Sequence, residues 1–121
     1  MDFKDLTVNK KGFQLSMDIF KRSKIFPKEE TYSLTDQIRR CSRSVCTNVS
    51  EGYRKRRYPK HFVSKVSDSD SENAETQVWL NFAFACEYIT NEEFEELNSK
   101  SLEVGRMLNH MIENPEKYGA K

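Results

Sequence analysis

Four consecutive cations, Arg54, Lys55, Arg56 and Arg57, stand between Tyr53 and Tyr58, and Lys60, His61, Phe62 and Lys65 continue the pattern. Cations beside aromatic faces are suited to hold phosphates and stack on bases, so RNA or DNA is the candidate partner. The contacting residues would be Arg54, Lys55, Arg56, Arg57, Lys60 and Lys65. The competing reading is a solvated turn, because a basic row after a helix C-terminus meets the negative end of the helix dipole.

A second candidate is acidic. Asp68, Glu72 and Glu75 fall at i, i+4 and i+7, on one face of a helix, and carboxylate oxygens suit a hard cation. The alternative function is therefore a bundle that binds a metal ion or a small molecule through Asp68 to Glu75. Against it, the Glu-x-x-His pairs of di-iron bundles are missing, since Tyr58 and Met107 stand three residues before His61 and His110. An acidic face that is solvated, or that meets another subunit, is the simpler expectation, and no cofactor is expected.

Nucleophilic chemistry has little to build on. Cys41 and Cys46 lie five apart, which on a helix directs them about 140° from one another. They and Cys86 read as small buried side chains. Neither His61 nor His110 comes with a recognisable partner, and no glycine-rich phosphate loop is present, so no enzyme activity is expected.

Composition narrows the setting. An odd count of three cysteines without CxxC spacing, and no charged-then-apolar leader, argue against a disulfide-stapled secreted domain and for the cytoplasm. With 32% charged residues and no apolar run near the roughly 18 residues a span requires, neither insertion nor a membrane partner is expected. The net charge of +1 hides a division along the chain. Residues 37 to 65 hold nine basic side chains against Glu51 alone, whereas residues 66 to 99 hold nine acidic side chains and no Lys or Arg. Such blocks give a chain faces of opposite sign.

The elements that must position these groups are helical. Leu6, Phe13, Met17 and Phe20 set a stripe for a first helix over about residues 4 to 24. Leu34, Ile38, Cys41, Val45, Val49 and Gly52 form a heptad seam over 33 to 54, opened by an approximate Ser33/Asp36 capping box. A third helix over 59 to 88 starts at Pro59 and turns Phe62, Val66, Leu80 and Ala83 or Phe84 inward, through a middle that is polar from Ser67 to Gln77 except for Ala74. Thr90 and Glu93 make a capping box for a fourth over 91 to 113, with Phe94, Leu97, Val104, Leu108 and Met111 on its seam. Residues 114 to 121 read as a loose tail. The fold class is all-α, one domain, an antiparallel up-down-up-down four-helix bundle.

Residues 25 to 56 also resemble the signature of the 23S rRNA-intervening sequence protein family. The turn is Phe26, Pro27 and Glu29; the helix start is Leu34, Gln37, Arg39 and Arg40; the close is Asn48, Val49, Ser50, Glu51 and Gly52. Glu72, Glu75, Thr76 and Gln77 match a later acidic region in part, where Asp68, Ser69 and Asp70 replace the family's small residues and Gly. The resemblance implies a four-helix bundle assembled as a homopentamer, with no known enzyme activity. It also implies similarity to the accessory variability protein of diversity-generating retroelements, a basic ring that binds nucleic acid and a protein partner. In that frame Asn48, Glu51, Gly52 and Gln77 are structural, and Asn48, Glu51 and Gln77 are expected to be semi-buried and bonded to a neighbouring helix or turn. Complementary charge blocks suit the heterologous contacts of a closed ring.

Overall fold

In residues 34 to 52 every apolar position but Cys46 shares one phase, so a helix placed there has one main face to bury. The computed structural model describes residues 2–121. It shows α1 (Thr7–Ser23), α2 (Leu34–Arg54), α3 (Pro59–Ala85) and α4 (Asn91–Glu113), with single 3-10 turns at Phe3–Asp5, Lys28–Glu30 and Pro115–Tyr118. Each helix packs on its chain neighbours, and α1 closes the bundle against α4. The fold is an all-α up-down bundle.

Leu34, Ile38, Cys41, Val45, Val49 and Gly52 are all buried on α2. A Cβ on Gly52 would lie 3.1 Å from the Lys65 Cβ and 3.4 Å from the Phe62 carbonyl, so its absence lets α2 and α3 approach closely. The core falls into two halves. One gathers Val45, Val49, Tyr53, Phe62, Val66, Val104, Leu108 and Met111; the other gathers Leu15, Ile19, Leu34, Ile38, Leu80, Ala83 and Leu97.

Of the expected first-helix stripe Leu6, just before α1, is buried, but along α1 itself another stripe takes its place. Val8, Gly12, Leu15 and Ile19 are buried, whereas Phe13 is 64% and Met17 37% exposed. The helix carries two apolar phases, and the bundle buries the one containing Gly12, where a Cβ would come within 3.1 Å of the Cys46 sulfur. Phe20 stays half-buried beneath three cations, with Arg39, Lys24 and Arg43 at 4.8, 4.9 and 5.6 Å from its ring centre.

The polar middle of α3 is helical and is part of the core. Ser69, Asn73 and Thr76 continue the seam of Phe62 and Val66 into that of Leu80 and Ala83, and all three are buried. Each is hydrogen-bonded, as burial of polar groups requires: the Ser69 hydroxyl donates to the Val45 carbonyl at 2.7 Å, and that of Thr76 to the Glu72 carbonyl at 2.9 Å. Asn73 bonds across to α4.

The caps differ in detail from expectation. Thr90 and Glu93 form the capping box, with bonds of 3.1 and 2.8 Å. Ser33 does not cap α2; its hydroxyl donates to Glu30 at 2.6 Å. Glu30 also accepts from the Tyr88 hydroxyl at 2.9 Å, tying the α1–α2 connection to the α3–α4 connection beside the Phe26–Tyr88 ring contact. These bonds hold the Glu30 carboxyl below its usual range, and the bond to Glu30 pushes the Tyr88 phenol up to about 12. Phe84 is partly exposed and stacks on Phe94, while Ala83 faces the core.

Helix α3 ends at Ala85 rather than 88, because Glu87 adopts φ of 65° and Tyr88 N–H bonds back to the Ala83 carbonyl. This is a Schellman close with a non-glycine residue in the left-handed position. Glu87→Gly is therefore expected to raise stability by about 0.5–1 kcal/mol, read as a higher urea midpoint. An unchanged midpoint would show that the glutamate carries no backbone strain.

The tail is docked rather than loose. Pro115–Tyr118 forms a 3-10 turn, Gly119 turns the chain at φ of 87°, and Ala120 is buried in the core half that contains Phe62. The Tyr118 hydroxyl meets His110 Nδ1 at 2.7 Å.

Candidate nucleic-acid interface

The basic row occupies the α2–α3 connection. Lys55 N–H bonds to the Gly52 carbonyl at 2.9 Å and Tyr58 N–H to the Lys55 carbonyl at 2.9 Å, after which Pro59 opens α3 without needing a donor. The end of α2 favours Arg54 and Lys55 through its dipole. The start of α3 does the opposite for Lys60 and His61, since its first turn contains no acidic residue and Tyr58 supplies no side-chain cap. Cations gathered at a positive helix end are not explained by helix stability.

The six candidate residues divide. Arg54, Lys55, Arg57 and Lys60 are exposed, and none forms an ion pair among the described residues. Lys65 is engaged: its ammonium lies 2.7 Å from Glu51 and 4.0 Å from Asp68. Arg56 is half-buried. Its guanidinium lies 3.6 Å from the Tyr53 ring centre, and its Nε donates to the Tyr53 carbonyl at 2.8 Å. Arg54, Arg56, Arg57 and Tyr58 surround a basin of about 550 Å³, bounded on one side by Gly119. His61 is exposed beside Tyr58, with ring centres 5.8 Å apart.

Of the structural motif, Gln77 is half-buried and donates to the Ser101 hydroxyl of α4 at 3.0 Å. Glu51 is exposed, held to α3 by Lys65 rather than buried. Asn48 is half-buried but bonds within its own helix, to the Ser44 carbonyl at 3.0 Å, so it does not link α2 to a neighbour.

The acidic stretch does not converge. Asp68 and Glu75 are exposed, Glu72 is half-buried, and among the described residues no three His, Cys, Asp or Glu side chains group at metal-binding spacing. Burial, then repulsion from Glu75 and Asp68, raises the Glu72 carboxyl. Glu93 and Glu96 of the acidic block are taken up by Arg22 of α1 at 3.1 and 3.2 Å, and Asp18 of α1 pairs with Lys100 of α4 at 2.7 Å. The helical partners of opposite sign are thus α1 and α4, which leaves the cations of the α2–α3 turn largely uncompensated.

Burial pushes the Cys41 thiol up to about 12 and the Cys46 thiol up to about 11, far from a reactive thiolate. Cys86 is exposed rather than buried, because α3 ends at its position. Sequence reasoning missed the buried Ser69, Asn73, Thr76 and Ser101, although the spacing 62, 66, 69, 73, 76, 80, 83 runs unbroken through them. Among the described residues no helix is long and apolar enough to cross a membrane.

The architecture places the chain in the class of small all-helical up-down bundles. Within it, the profile of the 23S rRNA-intervening sequence protein family matches residues 4–110, and the chain belongs to that family. It is also similar to a crystal structure from Bacteroides thetaiotaomicron, described as a protein with unknown function from the S23 ribosomal protein family. The two share 27% identity with a TM-score of 0.79, over 88% of this chain and 98% of that one. Comparison with curated proteins gives no match.

Proposed function

We propose that the protein is a non-enzymatic, homo-oligomeric bundle that binds RNA or DNA through the α2–α3 turn, acting as a nucleic-acid-binding or scaffolding ring. The observation that carries this reading is the set Arg54, Lys55, Arg57 and Lys60, exposed and unpaired among the described residues, of which Lys60 stands at a helix start that opposes its charge. Self-association rests on the family's implied ring of five and is supported by apolar side chains left on the outer surfaces of α3 and α4, Val78, Phe82 and Leu102. Several copies presenting their turns to one polyanion would multiply a weak single contact.

The test measures affinity for single- and double-stranded RNA and DNA against salt. Each phosphate neutralised contributes about −0.7 to −0.9 to the log–log slope, so Arg54, Lys55, Arg57 and Lys60 together changed to Ser should flatten it by about 3. Helix content and the mass from light scattering should not change. Lys4, Lys10, Lys21 and Lys28, which are exposed elsewhere, provide the control for bulk charge. No binding by the wild type at about 50 mM salt, where screening is slight, would sink the reading. A species of monomer mass at micromolar concentration would remove the ring.

A further inference from the structure

Arg56 differs from its neighbours in the basic row. Its guanidinium is fixed twice, by stacking 3.6 Å from the Tyr53 ring centre and by the 2.8 Å bond from Nε to the Tyr53 carbonyl. Its two Nη groups make no hydrogen bond among the described residues, and no carboxylate pairs with it. A half-buried arginine without a counter-ion, held so that one edge of its fork faces a basin, is arranged for a bidentate anion. Gly119 makes room for it: at φ of 87° the turn passes so close that a Cβ there would sit 3.3 Å from Nη1 and 3.6 Å from Cδ. Arg54 and Arg57 add two more guanidinium groups around the same basin.

Arg56 and Gly119 also border a second cleft, of about 630 Å³, whose mainly apolar wall includes Leu6, Val8, Met107 and Met111, with Asp5 and Lys117 beside them. That volume lies within the range of small-molecule sites, roughly 300–1,000 Å³. The guanidinium therefore stands where a cationic basin meets an apolar cleft.

We infer that the Arg56 basin is a phosphomonoester site, which in the nucleic-acid reading on which this rests is the 5′-terminal phosphate of a strand, with its nucleoside directed to the apolar cleft. A phosphomonoester carries a charge of about −1.5 to −2 and three free oxygens, against −1 and two for an internal diester. Three arginines and a fixed fork match the former.

The full-length protein is titrated at about 0.15 M salt with one single-stranded oligonucleotide carrying either a 5′-phosphate or a 5′-hydroxyl, with adenosine monophosphate, and with inorganic phosphate. Binding is read by fluorescence anisotropy and by the NMR resonance of the Arg56 Nε–H. The phosphorylated strand is expected to bind about tenfold more tightly than the hydroxyl strand, as a fully formed charge-assisted fork allows. Arg56→Lys, which keeps the charge but lacks the fork, should abolish the preference for the phosphorylated end. Arg54→Ser with Arg57→Ser should reduce it without touching the Tyr53 stack. Equal affinity for the two ends, in a protein that binds both, overturns the inference and leaves the nucleic-acid reading standing. A shift of Arg56 Nε–H with adenosine monophosphate or phosphate but not with either strand keeps the phosphomonoester site and removes the nucleic-acid reading. No response of Arg56 to any of the four ligands overturns the site.

Discussion

Phe62→Ala is expected to destabilise the protein by about 3–5 kcal/mol, the range for removing a fully buried aromatic ring from a core. Phe62 has no exposed surface, although it lies in the first turn of α3, next to the basic turn. Its ring belongs with Val49, Val66, Leu108 and Met111, and Tyr118 of the tail stacks on it at 6.5 Å between centres. The vacated volume cannot be refilled by the backbone, since α2 already touches α3 through Gly52 at this level. The loss should therefore include the tail: Tyr118 and Ala120 lose the surface they pack on, and protease sensitivity should rise after Asn114. Urea unfolding followed by circular dichroism, with both proteins at one concentration because assembly shifts midpoints, measures the difference. Phe13→Ala, on the exposed face of α1, should fall within about ±0.5 kcal/mol. Comparable losses from the two substitutions would mean that the buried phase of α1, or the burial of Phe62, is wrong.

The contrast between Phe62 and Phe13 marks where the sequence is legible. On α2 one main apolar phase exists, and the seam read from spacing is the seam that is buried. On α1 two phases compete, and the choice depends on how closely Gly12 lets α2 approach, which is a property of the partner helix. The tail reads as loose because Pro115, Glu116 and Lys117 are polar or helix-breaking, but Tyr118 and Ala120 supply the apolar contacts and Gly119 the turn between them. At the candidate site, sequence places the cations in and beside one connection but cannot separate them by role. Arg56 and Lys65 become distinct from Arg54, Lys55, Arg57 and Lys60 only when Tyr53, Gly119 and Glu51 are set beside them. Glu29 of the family-like turn is exposed, and Glu30 next to it makes the contacts to Ser33 and Tyr88. Such neighbours are indistinguishable by type and differ only in direction.

Asn73→Ala is expected to cost about 2–4 kcal/mol, as large a loss as a buried apolar truncation although the residue is polar. The reason is that the α3–α4 interface is held at its midpoint by a closed set of hydrogen bonds. Asn73 Nδ2 donates to the Ser101 carbonyl at 2.9 Å, the Ser101 hydroxyl donates to Asn73 Oδ1 at 2.9 Å, and Gln77 Nε2 donates to the Ser101 hydroxyl at 3.0 Å. Asn73 and Ser101 are fully buried, so a partner removed on one side leaves the other without water. Ser101→Ala should cost about 1–3 kcal/mol for the same reason, since it leaves Asn73 Oδ1 without a donor. Both truncations together should cost less than their sum by about 0.5–3 kcal/mol, because the second removes a group that the first has already stranded. Chemical unfolding of the four proteins of this cycle gives the coupling directly. Single losses that simply add would show that the two side chains do not act as one unit, and that the polar middle of α3 is held by its apolar flanks alone.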